Sequence, residues 1–303
     1  MMAGAAFAQD WPSKPVTMIV PYNPGGTTDI LARLAADAIS ASIGQPVVVE
    51  NKPGAGGVVG ATLAVGAPND GYTIFFGNNA TQVVQPVVNP AVTYDPVDSF
   101  DGIATTADAY VFLGINAASG VTDMDSFVAY AKGKKTKFGS AGVGSMGQFS
   151  ANYMLTETGL EATHIPYQGS NNAVTAILSG EIDFMVDPAV TRQIGNPDMK
   201  VVAALSPERH PAYPDVPTAK EQGYDLVLGG WFGIFAPEGT DPAIRAKMAA
   251  PLEAMVASDA YQDQVLKMGL LPAYRDPAAT DAAVDDAVVL FTTIRDAAGI
   301  TVN

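Results

Sequence analysis

A strand, a Gly-Gly turn and a helix follow one another between Val16 and Ala36, and this order constrains the fold more than any other feature of the sequence. The run Val16–Val20 is rich in β-branched and apolar residues, which is typical of a buried strand. Thr27 or Thr28 is expected to cap the following helix, which the apolar spacing predicts over about residues 29–40. A helix that begins directly after such a turn directs free backbone N–H groups at one point, and that point favours an anion. The stretch therefore predicts a site for one end of a small anionic ligand.

The alternation of strand and helix recurs along the chain. Strands are predicted at Gln45–Glu50, as a buried strand, and at Tyr72–Phe76, each followed by a turn and a helix. The pattern returns at Lys137–Ser140 and Ala162–Ile165. This order predicts an α/β fold with parallel sheets and helices on both faces. Two helices with an edge strand between them are predicted to end the chain, at about 242–258, 270–274 and 280–298.

Composition excludes several classes of partner and site. The chain has 303 residues, enough for two domains, and 16 Lys and Arg against 31 Asp and Glu give a net charge of −15. This charge disfavours binding to nucleic acid or to an acidic membrane surface. There is no cysteine, and the two histidines, His164 and His210, lie far apart in the sequence. No cofactor or metal site is therefore expected.

The first ten residues resemble the end of a secretory leader. Ala6-Phe7-Ala8 before Gln9 has the A-x-A form of a cleavage site, although the basic region and most of the apolar region of a signal peptide are missing. We interpret residues 1–10 as a signal peptide remnant, and the alternative is an arbitrary N-terminal tail. No later stretch contains the roughly 18 apolar residues that span a bilayer. A soluble periplasmic protein is expected.

Candidate ligand-binding residues cluster on turns that join strands to helices. A ligand of an open α/β sheet lies outside the carboxyl ends of the strands. Four such turns combine Gly with Ser, Thr or Asn, two in the N-terminal part and two in the middle, so two domains facing each other across a cleft would bring them together. The candidates on and beside these turns are Tyr22, Gly25, Gly26, Thr27, Thr28, Asp29, Asn78, Asn79, Thr81, Ser140, Ala141, Ser145, Tyr167 and Asp187.

The residue types suggest distinct contributions, although each of these residues could also be an ordinary turn, cap or packing residue. Asp29 is expected to orient its turn, because a carboxylate repels an anion. Tyr22 is expected to line the cleft wall, and the side-chain amides of Asn78 and Asn79 can donate and accept hydrogen bonds. Asp187 would select an amino or hydroxyl group of the ligand, or fix a water molecule.

Several longer stretches carry a family resemblance. They include VPY, PGG and TD within residues 20–29, GQPVVVENKPGAGG at 44–57, HIPYQG at 164–169, LSGEIDFMVD at 178–187, YPDVPTAKEQG at 213–223 and WFGIFAPEG at 231–239. From about residue 11 to 300, with the pieces in family order, the chain resembles the Bug-type periplasmic solute-binding proteins of tripartite tricarboxylate transporters.

The resemblance implies a type II periplasmic binding protein fold, with two α/β domains around a ligand cleft joined by two crossing segments. Residues 11–107 and 231–303 would form domain 1, and residues 108–230 would form domain 2. The turn at 24–29 would hold a ligand carboxylate through backbone amides and ordered water, and the turn at 140–145 would close on it from the other domain. The expected partners are a small carboxylate and the membrane permease subunits of the transporter, and the protein is expected to be a monomer.

The chain departs from the family pattern where cations and hydroxyl donors are common. Gln168 stands where relatives often carry Lys or Arg, and Met146-Gly147-Gln148 follows Ser145 where several carry Thr, Ser and His. No other Lys or Arg stands in a predicted cleft turn. We therefore expect a mono- or dicarboxylate, aromatic acids included, rather than a tricarboxylate.

Two other functions stay open on the sequence. A periplasmic hydrolase would use Ser140 or Ser145 as nucleophile with His164 as base, but neither serine lies in a G-x-S-x-G motif, so no enzyme activity is expected. A ligand-sensing subunit of a membrane receptor would have the same fold and cleft as a transport protein, and the sequence does not separate the two.

Overall fold

The computed structural model describes residues 11–300, and the predicted signal peptide remnant, residues 1–10, lies outside the described residues. No helix within residues 11–300 has both the length and the apolar character needed to cross a membrane. The strands are β1 (Val16–Val20), β2 (Val47–Asn51), β3 (Thr73–Asn78), β4 (Phe100–Tyr110), β5 (Phe112–Asn116), β6 (Thr136–Ser140), β7 (Ala162–Pro166), β8 (Phe184–Asp187), β9 (Met199–Ala204), β10 (Gly229–Pro237) and β11 (Leu271–Arg275). The α-helices are α1 (Thr27–Ile43), α2 (Val58–Val65), α3 (Gln85–Val88), α4 (Met124–Lys132), α5 (Met146–Thr158), α6 (Ser170–Leu178), α7 (Pro242–Ala257), α8 (Asp259–Lys267) and α9 (Pro277–Ala298).

The first sheet has the strand order β11-β4-β10-β3-β1-β2. Strands β2, β1 and β3 are parallel, as predicted, but β10 is antiparallel to both β3 and β4, and β11 is antiparallel to β4. The predicted parallel arrangement therefore holds for β2, β1 and β3, and β4, β10 and β11 add antiparallel pairs to the same sheet. The reason is that β4 leads towards the second sheet and β10 leads back from it, so these neighbouring strands run in opposite directions.

The second sheet has the order β7-β6-β8-β5-β9. Strand β6 is parallel to β7 and β8, whereas β5 is antiparallel to β8 and β9. The chain passes from the first sheet to the second between β4 and β5, and it returns between β9 and β10. The predicted domain boundaries, at 107/108 and 230/231, fall inside β4 and β10.

Helix α1 packs one apolar face against the first sheet and thereby fixes where its N-terminus lies. Leu31, Ala35 and Ile39 are completely buried, while Ile30 and Leu34 are half-buried. The spacing of the buried residues is the i, i+4 spacing of one helix face.

Two further expectations about elements need correction. Strand β2 was expected to be buried, but it is the edge of the first sheet, and the Val48 side chain is exposed. Helix α8 was not expected. It begins after Ser258, which ends α7 and also accepts a hydrogen bond from the Tyr261 amide as the cap of α8.

Candidate ligand-binding site

The N-terminus of α1 has no side-chain cap. The helix begins at Thr27 and its cap position is Gly26, so the prediction that Thr27 or Thr28 caps the helix is wrong. Gly26 is extended (φ −79°, ψ 169°) and Gly25 has a φ of +83°, a conformation that favours glycine. Both glycines are exposed. The cap residue therefore provides no side-chain acceptor for the backbone N–H groups of the first turn, which also lack intrahelical partners.

Asp29 holds this turn in place. Its carboxylate accepts hydrogen bonds from the Gly25 amide (2.9 Å), from Arg33 through Nε and Nη2 (3.0 Å each) and from Asn51 Nδ2 (2.8 Å). Asn51 Nδ2 also donates to the Tyr22 carbonyl (3.0 Å). Burial alone would raise the pKa of Asp29, but the hydrogen bonds from Arg33, Gly25 and Asn51 outweigh it and lower the pKa to about 2. These contacts fit the expected orienting role.

The next turn, after β3, joins Tyr22 to Asn78 and Thr81. Asn78 Oδ1 accepts hydrogen bonds from the Thr81 amide (3.1 Å) and the Tyr22 hydroxyl (3.4 Å). Burial raises the pKa of Tyr22, so its hydroxyl stays a neutral donor. Thr81 is completely buried and its hydroxyl donates to the Asn78 carbonyl (3.0 Å). Tyr22 and Asn78 therefore form one wall beside the α1 turn, and Thr81 supports it from within.

Asn79 lies apart from this wall. Its amide nitrogen donates to the Gly229 carbonyl on β10 (3.5 Å), and it lines a cavity of about 340 Å³ together with Trp231 and Arg275. The structure thus separates Asn79 from Tyr22, Asn78 and Thr81, with which the sequence had grouped it.

On the second sheet, Ser140 and His164 fix the turn after β6. Ser140 Oγ is buried, lies 2.7 Å from His164 Nε2 and 2.9 Å from the Gly142 carbonyl, and accepts a hydrogen bond from the Gly142 amide (3.1 Å). Burial lowers the pKa of His164, which favours the neutral ring. Within residues 11–300 no carboxylate bonds to this histidine, and the serine has no exposed surface. Ser140 and His164 therefore stabilise the turn, and Ser140 is not exposed as a nucleophile would be.

A cavity of about 520 Å³ lies beside this turn, at the carboxyl ends of strands of the second sheet. Ala141 and Ser145 line it, as does Asp187 at the end of β8. Ser145 caps α5 by accepting a hydrogen bond from the Gln148 amide (3.4 Å), and its hydroxyl donates to the Gly142 carbonyl (2.7 Å). Tyr167 is not among the residues that form this wall. Its hydroxyl donates to Glu181 (2.9 Å) and its ring packs against the core of the second sheet.

Asp187 forms the floor of this cavity. It is 4% exposed, and its carboxylate accepts hydrogen bonds from the Ala189 amide (2.8 Å) and the Ser170 hydroxyl (3.1 Å). Burial raises the pKa of Asp187. A Cβ atom at Gly147 would lie 2.7 Å from Asp187 Oδ2, so glycine is needed there for α5 to approach the carboxylate.

The sequence reasoning missed Arg192. This residue follows β8 on a 3₁₀ segment, Pro188–Gln193, and it lines the same cavity as Asp187. Its Nη1 donates to Asn171 Oδ1 (3.4 Å), and no carboxylate of the described residues forms an ion pair with it. The available signal was Asp187-Pro188, which starts a helical turn and returns the side chain near position 192 towards the strand end.

The two groups of candidate residues belong to separate sheets. Among residues 11–300, no hydrogen bond or ion pair joins the turns at 22–29 and 78–81 to the cavity at 140–147 and 187–192. Nor does any cluster of three His, Asp or Glu side chains in this part of the chain have a geometry that would hold a metal ion.

Comparisons with known proteins agree on one family. Residues 31–299 match the family described as "Tripartite tricarboxylate transporter family receptor". Protein BugT of Bordetella pertussis is 30% identical over 293 residues, which cover 95% of this chain and 90% of BugT. MatC of Rhodopseudomonas palustris with bound malate has a TM-score of 0.75 and 29% identity, covering 94% of this chain and 99% of MatC. The R. palustris protein Rpa4515 with adipate has a TM-score of 0.80 and 28% identity, covering 96% and 99%. The predicted periplasmic binding protein fold is confirmed.

Proposed function

Because the chain belongs to the family of tripartite tricarboxylate transporter receptors, whose members are periplasmic solute-binding proteins, we propose that it captures a small carboxylate in the periplasm and delivers it to the permease subunits of such a transporter. As a receptor of this family the chain is a binding protein and not an enzyme, as the sequence predicted.

The observation that most directly supports this proposal is the N-terminus of α1, which has no side-chain cap. Gly26 leaves the first-turn amides open, and the partial positive charge of a 17-residue helix favours a carboxylate at that position. Asp29 does not compete for these amides, because its oxygens are occupied by Gly25, Arg33 and Asn51. The hydroxyl of Tyr22 and the side chain of Asn78 would then line the wall beside the bound carboxylate.

Closure about the connections between the sheets would complete the site. We propose that residues 11–107 with 231–303 form one body and residues 108–230 the other, and that a hinge at β4 and β10 brings the cavity at Asp187 onto the α1 turn. Malate and adipate, the ligands of two relatives, are small dicarboxylates and support a ligand of this size.

A thermal shift panel tests the proposal. Mono-, di- and tricarboxylates and aromatic acids are each added to the purified protein, and the midpoint of unfolding is recorded. A ligand present at 100 times its Kd adds about 2.7 kcal/mol to the free energy of unfolding. If no carboxylate raises the midpoint, the proposed function is wrong.

Gly26→Val tests the anchoring turn itself. A Cβ atom at Gly26 has only the Asn23 carbonyl as a neighbour, at 3.7 Å, so the fold should accept a side chain there. The valine would instead occupy the space in front of the first-turn amides, and carboxylate binding should be lost. Gly66→Val, at the C-terminal end of α2, is the matched control and should keep the wild-type affinity. Unchanged affinity in Gly26→Val would exclude this turn as the anchor.

A further inference from the structure

We propose that Arg192 binds a second carboxylate of the ligand, so that the protein selects dicarboxylates held between the α1 turn at one end and Arg192 at the other. This inference rests on the proposed function and adds to it the residue that determines ligand class.

Arg192 differs from the other arginines in forming no ion pair with any Asp or Glu of the described residues. The chain has six arginines. Five of them form an ion pair with an aspartate or glutamate: Arg33, Arg209, Arg245, Arg275 and Arg295. Among the described residues Arg192 has only a long hydrogen bond to Asn171. In a protein with a net charge of −15, a guanidinium that lines a cavity and forms no ion pair among the described residues is available to an anionic ligand.

Within residues 11–300, the one acidic side chain that lines the cavity around Arg192 is buried and hydrogen-bonded to other groups of the protein. Asp187 is the only Asp or Glu among the described residues that line it, and it is 4% exposed. Its oxygens are occupied by the Ala189 amide and the Ser170 hydroxyl. The guanidinium, in contrast, has five N–H donors, of which one is used.

Helix α6 adds to the attraction for an anion. It begins at Ser170, and its cap residue, Gly169, provides no side-chain hydrogen bond. Gly169, Ser170 and Asn171 all line the cavity, so the positive end of the helix lies in the same wall as Arg192. A volume of about 520 Å³ accommodates a carboxylate and several methylene groups.

The position of the two anion-binding elements on different sheets indicates the ligand class. The α1 turn follows β1 of the first sheet, and Arg192 follows β8 of the second. When the domains close, a ligand with a carboxylate at each end engages both elements, whereas a monocarboxylate engages only one. Charge-assisted hydrogen bonds to a guanidinium contribute enough for about a 10- to 100-fold difference in affinity.

Isothermal titration of matched acids tests the inference. Succinate is compared with butyrate, and adipate with hexanoate, on the wild type, Arg192→Gln and Lys200→Gln. Lys200 is exposed on β9 and forms no ion pair among the described residues, so its substitution removes the same charge away from the cavity. Arg192→Gln should weaken dicarboxylate binding at least tenfold and change monocarboxylate binding less than about threefold. Lys200→Gln should change neither, and circular dichroism confirms that each variant is folded.

The results of these titrations distinguish the inference about Arg192 from the proposed function. If Arg192→Gln weakens both classes of acid equally, or neither, while the wild type binds carboxylates, the inference is wrong and the proposed function stands. If the wild type binds none of the four acids and no acid of the thermal shift panel, both are wrong. Loss confined to the dicarboxylates, with Lys200→Gln unchanged, supports Arg192 as the second anchor.

Discussion

Replacing Asp29 with asparagine tests whether the ion pair with Arg33 stabilises the α1 turn. Asparagine has nearly the same shape and can still accept a hydrogen bond from the Gly25 amide. It cannot form the two charged hydrogen bonds, each 3.0 Å long, that Arg33 makes to the carboxylate. The substitution therefore removes the charge and leaves the volume of the buried side chain almost unchanged.

The pKa of Asp29 gives the magnitude. A folded-state pKa of about 2, against 3.8 for an ordinary aspartate, corresponds to about 2.4 kcal/mol of stability at neutral pH. The Arg33 side chain is 51% exposed, so solvent screening reduces the expected loss in Asp29→Asn to about 2 kcal/mol. Because the folded pKa is depressed, this stability is fully present well above pH 3.8. It is lost as the pH falls through 3.8 towards 2.

Urea unfolding from pH 7 to pH 2 is the assay. The wild type should lose about 2 kcal/mol more than Asp29→Asn over the acidic end of this range, and the two curves should converge near pH 2. Asp263→Asn, an exposed position on α8 with no hydrogen-bond partner among the described residues, controls for the loss of one negative charge. Parallel pH profiles of the wild type and Asp29→Asn would refute the reasoning.

Two further substitutions address the supports of the binding turns. Gly57→Ala should lower the free energy of unfolding, measured in urea, by about 2–4 kcal/mol. Gly57 has a φ of +100°, and a Cβ atom there would collide with a methyl group of Thr81. A loss no larger than that of Gly66→Ala would contradict this. His164→Gln should flatten the pH dependence of stability between pH 7 and 5, because burial lowers the pKa of His164 below 6.5 and the wild type loses stability as the pH falls through 6.5. Burial also lowers the pKa of His210, so some dependence should persist, and a profile identical to wild type would exclude His164 as a contributor.

Local periodicity was sufficient to predict most helices and strands. The predicted bounds of β1 agree with the structure, because this strand is an apolar run that ends at a turn. Helix α8 escaped prediction because only Tyr261 and Val265 of its nine residues are buried. Two apolar positions form too narrow a stripe to distinguish a helix from a polar loop.

Strand direction could not be predicted in the same way. An apolar run such as Trp231–Ala236 indicates a strand but contains no information about the strand beside it. Strand β10 is antiparallel to β3 and β4 because the chain returns from the second sheet at this point. This depends on the connections between elements more than 100 residues apart and not on local residues.

For the candidate site, the sequence revealed residue types but not their partners. Thr81, Ser140 and Asp187 were predicted as ligand contacts because their polar groups can donate or accept. The structure buries all three and commits them to hydrogen bonds with neighbouring groups of the protein. Arg192 was overlooked because it lies in a 3₁₀ segment with no glycine turn to mark it.

The proposed ligand contacts are backbone amides at the α1 turn and side chains in the cavity of the second sheet, and this difference limits where ligand specificity can arise. If the proposed function is right, the first carboxylate of the ligand binds backbone amides of α1. Backbone amides are the same in every sequence that forms this turn. A substitution at Gly26 can block these donors but cannot change their chemistry. Side chains, whose charge and length a substitution can change, line the cavity of the second sheet, and Arg192 is one of them. Exchange of residues in that cavity should therefore change which acid is bound without loss of carboxylate binding at the α1 turn. The second carboxylate, rather than the first, is the end of the ligand that such a receptor distinguishes.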